Sequence, residues 1–353
     1  MTLQSSGEIK LSQIANVFGY TNSPETRLGS YRTTNGQGNF PVSFGAIQFN
    51  SIDARSGGSV PTGSSQIAFS DFYGTRLQTV VNFYGSGRGG NRLVAKDRYN
   101  SGGSNDVQTV GNYRTRPNNS SGTKVHIHVN QTIGSEKTRV EHCALRTGSW
   151  DSSTTLQVDV GGSGRISGSG GDGGRGSINS GSGFDGGDGT SGLGVQYNPT
   201  TVTVASGGFI QAGFAGGGGG GGGYDTDKEA DRTASGGGGG GGAGIPAGAG
   251  GAEGSGGTEG DPGTAGNEIN GGPGGPGSNN DGEATGGEGG DGGDRAGSAG
   301  EGADGTGGES SRSSGGDPGT PGAAIRRNSG FTVNIDNTSL SRVHGTNNAT
   351  GVL

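Results

Sequence analysis

The chain lacks what builds an ordinary globular core. Only 25% of its 353 residues are apolar, about half the usual share. Tryptophan, methionine and cysteine each occur once. A lone cysteine, Cys143, excludes an intrachain disulfide framework. No stretch approaches the ~18 consecutive apolar residues of a membrane-spanning helix. The opening "MTLQSSGEIK" has no basic stretch followed by an apolar run. The sequence therefore predicts no signal peptide, no membrane insertion and synthesis in a cytoplasm. A formal charge of −7, carried mainly by the glycine-rich half, argues against a nucleic-acid partner.

Catalytic chemistry is as scarce. The histidines are His126, His128, His142 and His344, and no Ser–His–Asp arrangement follows from them. Carboxylates are plentiful but sit in glycine-rich turns, without apolar surroundings to raise a pKa. "FYGSGRGG" spaces Gly85, Gly87 and Gly90 like a dinucleotide loop. No amphipathic helix follows, so it reads as a turn. "VHIHV" puts His126 and His128 on one face of a strand, with His142 and Cys143 downstream. Imidazole and thiolate are metal ligands, but two histidines without a second spaced pair read first as ordinary strand residues. The expectation is no enzyme, no metal and no cofactor.

What the chain has is glycine. Of its 89 glycines, 66 fall between Gly161 and Ile325, which marks domain boundaries near 160 and 325. Such a segment reads either as a solvated low-complexity tail or as an ordered array of bare backbones. A chain without side chains can adopt the left-handed extended helix with three residues per turn. That helix makes no internal hydrogen bonds, so its amides must pair with neighbouring copies. A central helix then needs glycine throughout; an edge helix needs it only every third residue. Both patterns are present. Gly216–Gly223 and Gly236–Gly242 are unbroken, and glycine recurs at period three from Gly248 to Gly266. Collagen shares the period, but here the phase slips repeatedly and the runs are short.

The insert between the unbroken runs, "YDTDKEADRTAS", would sit at a bundle tip. It would display Tyr224, Asp225, Asp227, Lys228, Glu229, Asp231 and Arg232, or form a plain solvated turn. Loops on rigid scaffolds are where recognition concentrates.

The remainder reads as β-structure and small modules. Residues 77–160 carry alternating β-branched segments such as "LQTVVNFYG", "TKVHIHVNQTIG" and "TTLQVDVG". "LQVDVGGSGRISG", "VTVASGGFIQAG" and "FTVNIDNTSLSRVHG" read as β-hairpins bracketing the glycine-rich blocks. Residues 1–76 hold a weak threefold repeat: "EIKLSQI", "AIQFNSI" and "QIAFSDF". Its apolar positions are Ile9, Leu11, Ile14; Ile47, Phe49, Ile52; and Ile67, Phe69, Phe72. Ile9 and Leu11 alternate as in a strand, and Ser12, Asn50 and Ser70 stand where N-caps would start helical turns. The predicted fold is mostly β and irregular. It has an N-terminal module (1–76), a β-rich domain (77–160), a polyglycine II helix bundle (161–325) and a closing hairpin (326–353).

"ALRTGSW…TTLQVDVGGSGRISGSGGDGGRGS", "TVTVASGGFIQAGFAGGGGGGGG" and "GTPGAAI…FTVNI" resemble the glycine-rich tips of bacteriophage tail fibres and tail-tip host-specificity proteins. "SGEIKLSQIANVFG", "LGSYR" and "IAFSDFYG" look like short modules of tailed-phage virion proteins, cyanophages included. The resemblance implies a virion protein of the tail or fibre. Its N-terminal module would dock onto other tail or fibre proteins, and inter-helix loops would contact a host receptor, a glycan or an outer-membrane protein. It adds Asn267 and Glu268, Asn279, Asn280 and Asp281, and Arg312 as receptor-facing. A homo-oligomer stays open. The alternatives are a non-adhesive fibre, spacer or decoration protein of the virion, and a free ice-binding protein. The mixed Asp, Glu and Asn of the loops speak against the last.

Overall fold

The computed structural model describes residues 4–17, 28, 43–44, 47–48, 66–74, 78–83, 93–95, 107–110, 124–150, 154–179, 181–227, 230–280, 284–295, 298–299, 306–307 and 311–353. Near the N-terminus, helix α1 (Leu11–Val17) and a 3-10 turn (Phe69–Phe72) lie in segments tied to each other. The Gly74 amide donates to the Gln4 carbonyl at 2.9 Å, and the Tyr73 hydroxyl donates to the Gly7 carbonyl. The first and third repeats thus fold against one another. The expected strand at Ile9–Leu11 and caps at Ser12 and Ser70 do not form. Side chains reach back instead: Gln13 Oε1 accepts from the Lys10 amide (2.7 Å) and Asp71 Oδ2 from the Ala68 amide (2.8 Å). Such bonds start a helical turn earlier, so both serines lie inside it. Between the repeats, β1 (Ser43–Phe44) pairs antiparallel with β2 (Ile47–Gln48).

From residue 78 the chain winds through three sheets. β3 (Gln78–Phe83) lies in the first and β4 (Leu93–Val94) in the third, while β5 (Val107–Val110) returns antiparallel to β3. β6 (Lys124–Val129), β7 (Thr132–Ile133) and β8 (Cys143–Arg146) then enter the first, second and third sheets in turn. β9 (Thr155–Val160), β10 (Arg165–Ser167) and β11 (Ser191–Val195) repeat that order. β12 (Thr200–Val204) and β13 (Phe209–Gln211) begin another coil. Before it closes, a long excursion intervenes, carrying β14 (Gly223–Asp227), β15 (Ala230–Ala234), β16 (Asn279–Asn280), β17 (Ala284–Thr285), β18 (Thr306–Gly307) and β19 (Ser311–Arg312). β20 (Ile325–Arg327) completes that coil, and β21 (Val333–Ile335), β22 (Val343–His344) and β23 (Ala349–Thr350) add a last one.

All ladders among these coil strands, β5 apart, are parallel, so the region is a three-faced solenoid. Equivalent side chains stack along its axis, as nearest-neighbour repeats require. Ile133, Ile166, Ile210 and Val343 are register partners in the second sheet. Leu93, Leu145, Leu193 and Ile325 are partners in the third. Ile127, Val158, Val202 and Ile335 are partners in the first. Ile127, Ile133, Ile166, Leu193 and Ile210 have no exposed surface.

This architecture corrects the predicted hairpins. The two halves of "LQVDVGGSGRISG" do not pair with each other. β9 pairs with β6 and β12, and β10 with β7 and β13, all in parallel. The residues after 325 likewise add one strand to each sheet. The glycine turns after β9 and β12 are corners of the coil: the Gly164 amide donates to the Gly161 carbonyl, and Gly207 has φ +89°.

Both glycine-rich excursions leave from the passage between the second and third sheets, 168–190 and 212–324. Nine described runs go back and forth: 168–178, 183–190, 212–222, 235–244, 248–255, 260–267, 271–278, 286–293 and 313–322. They bond sideways at every third residue. The Gly171, Gly174 and Ser177 amides donate to the Phe214, Gly217 and Gly220 carbonyls at 2.9, 2.8 and 3.0 Å.

Run 235–244 exchanges such bonds with six others, through pairs such as Gly242–Gly171, Gly217–Gly240, Gly251–Gly239, Gly238–Asp261, Gly272–Gly241 and Gly237–Gly287. Run 212–222 bonds to five described runs, the further ones through Gly216–Gly187, Gly290–Gly218 and Gly316–Gly219. A Cβ at Gly219 or Gly239 would overlap the carbonyl oxygen of Arg175 or Gly217. These two surrounded runs contain the unbroken glycines. Surrounding runs admit Pro262, Pro273, Pro276, Pro318 and Pro321, where a missing N–H on the outer side costs no lattice bond. The Pro273 and Pro276 carbonyls still accept, from Thr264 and Asp261.

Candidate functional site

The back-and-forth course of the runs separates two sets of chain reversals. At the end away from the solenoid lie residues 178–179, 181–182, 223–227, 230–234, 255–258, 279–280, 284–285, 306–307 and 311–312. β14 and β15 form a hairpin there, with Tyr224 opposite Thr233, Asp225 opposite Arg232 and Thr226 opposite Asp231. β19 adds to β14, pairing Arg312 with Gly223. β16, β17 and β18 form a second three-stranded sheet, which packs on the first through β17 and β18 against β14. Asn280 Nδ2 links the two by donating to the Thr233 carbonyl at 3.3 Å. Tyr224, Asp225 and Arg232 are half-buried, and Asn279 is exposed. The structure thus brings together the described parts of the inserts around 224–235, 278–285 and 310–314. Lys228, Glu229 and Asp281 lie outside the described residues, as do the side-chain surroundings of Asp227, Asp231 and Arg312.

Two residues of this end were not singled out by sequence. Ile178 and Phe184 flank the first reversal and are 44% and 50% exposed. The available signal was a pair of apolar residues, in "SINSGSGF", inside a run that has no apolar partner for them.

Asn267 and Glu268 lie at the other end, against the solenoid. Asn267 Oδ1 closes its own turn, accepting from the Ile269 and Asn270 amides at 2.8 Å each. Glu268 receives both bonds of a fork from Arg165 Nη1, at 2.8 and 2.7 Å. The fully buried Gln211 donates to the Glu268 carbonyl and to Ser167 Oγ, and accepts from Arg295 Nε at 2.5 Å. The Arg295 guanidinium stacks 3.9 Å from the Phe209 ring centre, and His344 meets that ring edge-on. Burial, then the Arg295 charge, lowers the His344 pKa. This cluster clamps the bundle base onto the outer face of the second sheet.

The remaining predicted residues sit elsewhere. Ile9, Ile14 and Phe72 are buried within the N-terminal segments, Leu11 and Ile67 are half-buried, and Phe69 is 42% exposed. Ile47 lies in β2; Phe49 and Ile52 are outside the described residues. His126 and His128 share the outer face of the first sheet. His126 Nε2 bonds to Asp159 Oδ2, and Gln157 Nε2 donates to Asp159 Oδ1 at 3.0 Å. His128 is 8% exposed, and burial, then the His126 charge, pushes its pKa down to about 4. Among the described residues no group of three His, Cys, Asp or Glu could hold a metal ion, and no helix is long and apolar enough to cross a membrane.

Residues 100–352 match the family model described as Phage tail fibre adhesin Gp38. No curated protein matches the chain. Among solved structures, the chain is similar to one described as the gp37-gp38 adhesin tip complex of the bacteriophage S16 long tail fiber. The identity is 19% and the TM-score 0.32, over 84% of this chain and 90% of that one. The family model spans the solenoid from β5 onward and both glycine-rich excursions, and on that match the chain belongs to the phage tail fibre adhesin Gp38 family.

Proposed function

We propose that this adhesin binds the host cell through the far end of its glycine-rich bundle, with β14–β15, β16–β18 and β19 as the contact surface. The observation that carries this is the collection of chain reversals at one end, away from the solenoid. Tyr224, Asp225, Asp227, Lys228, Glu229, Asp231, Arg232, Asn279, Asn280, Asp281 and Arg312 belong to it, joined by Ile178 and Phe184. Glu268 acts at the base as a clamp residue, and Asn267 shapes the turn that carries it. The receptor is a surface glycan or an outer-membrane protein, and binding needs no catalytic step.

The runs behind this surface are polyglycine II helices. Sideways bonds at every third residue support that reading. So does the lack of a positive φ at any described glycine within them. Eight residues at ~3.1 Å each hold the tip about 25 Å from the solenoid. Residues 1–76 form the module that docks onto other tail-fibre proteins of the virion, with Phe69 as its exposed anchor.

The test replaces residues 225–234 by a Gly-Ser loop in the phage genome. Particles of normal composition with adsorption reduced at least about tenfold are expected. Normal adsorption of such particles rules the assignment out.

A further inference from the structure

The bundle's outer runs carry aspartates that recur in one local arrangement. The Asp317 amide donates to Asp185 Oδ1 at 2.9 Å, while the next residue of that neighbouring run, Gly186, donates its amide to the Asp317 carbonyl at 2.8 Å. Three residues on, the Thr320 amide donates to Asp188 Oδ1 at 2.7 Å and Gly189 donates to the Thr320 carbonyl at 2.9 Å. The pattern continues into β11. The Ala323 amide donates to Ser191 Oγ at 3.0 Å and Gly192 to the Ala323 carbonyl at 2.8 Å. A separate pair of parallel runs repeats it: the Ala249 amide donates to Asp172 Oδ1 at 2.7 Å and Gly173 to the Ala249 carbonyl at 2.8 Å.

In each instance an acceptor side chain and the glycine after it embrace both backbone groups of one residue in the parallel neighbour. Geometry explains the residue types. The glycine must lack a Cβ because its inner side touches another run: a Cβ at Gly186 or Gly189 would overlap the carbonyl oxygen of Gly216 or Gly213. Among the described residues, the amides of Asp317, Thr320 and Ala249 bond to no other run. A side chain one carbon from the backbone reaches such an amide and returns an acceptor.

We infer that Asp172, Asp185 and Asp188 are edge caps, which satisfy the outward amides of the bundle and close its flank to a further extended chain; Ser191 makes the same pair of bonds inside the solenoid, where it is buried. This is the counterpart of edge protection in β-sheets and of the reciprocal capping box of α-helices. Proline does the same job where it occupies such a position, by removing the donor. The inference concerns the flank and stands apart from the receptor assignment at the tip. It also gives a readable signature: Asp directly before the contact glycine of an edge run, as in "GDGG" and "FDGGDG".

The test is hydrogen exchange by mass spectrometry on the full chain. In D185A/D188A, peptides containing the amides of Asp317 and Thr320 should exchange about tenfold faster or more, as expected for donors left without a partner. In D185N/D188N, which keeps an acceptor oxygen but removes the charge, exchange should stay near the original. The single variant D188A, expected to expose the Thr320 amide alone, covers a double variant that fails to fold. Unchanged exchange in the alanine variants overturns the inference. So does an asparagine variant as fast as the alanine one, because charge rather than bonding would then be at work.

Discussion

At the scale of single residues, identical side chains take different work from their surroundings. Asp188 caps an amide at the bundle edge, while Asp159 accepts bonds from His126 and Gln157 on the solenoid face. The Asp159 pKa is lowered, with burial opposing and the His126 bond as the largest favourable cause. His128, on the neighbouring strand, is held neutral by burial, with its pKa at about 4 against 6.5. Below pH 6.5 the unfolded chain takes up a proton that the folded one refuses. Stability therefore falls as pH drops from 6.5 to 4 and gains no further loss from this group below that. Asp159 has the opposite chemistry but the same direction, with its contribution lost as pH falls through and below the ordinary carboxylate range. Denaturant melts at stepped pH should show a decline of at most about 3 kcal/mol attributable to His128, and His128→Gln should flatten the slope between pH 6.5 and 4. An unchanged slope would remove His128 from the explanation.

At the scale of elements, position in the lattice decides what a glycine is for. Run 235–244 is bonded on six sides, so Gly239→Ala forces a methyl group into the Gly217 carbonyl. It should destabilise by about 3 kcal/mol or more, as severe overpacking does. Glu253→Ala, on the half-buried outer side of run 248–255, should change stability by no more than about 0.5 kcal/mol. Thermal unfolding of the pair separates the two, and equal effects would contradict a central place for run 235–244.

This asymmetry was legible in the sequence, since unbroken glycine can only sit where no side chain fits on any side. Strand positions were legible too, because Leu156, Val158 and Val160 alternate. Strand partners were not. Alternation reports which face is buried but not whether the neighbour is parallel. The coil repeat that would have revealed a solenoid is interrupted twice by glycine-rich excursions. Asn267 and Glu268, receptor-facing by the resemblance, lie at the base instead, because a polar cluster between glycine runs marks a reversal at either end. Nothing local tells an outward reversal from an inward one; counting reversals does, since successive ones alternate ends.

At the scale of the whole molecule, a stiff body without a large apolar core joins a greasy solenoid to a polar tip. The solenoid is held by stacked side chains, the bundle by backbone bonds, and the clamp of Arg165, Gln211, Glu268 and Arg295 holds one against the other. On the proposed reading, a receptor is met at the tip without disturbing the core. The most direct measurement is hydroxyl-radical footprinting of the intact protein bound to host envelopes. Protection is expected at residues 178–184, 223–234 and 279–285, with the base turns 267–270 and 294–299 unchanged. Protection of the base turns with an unprotected tip would contradict it.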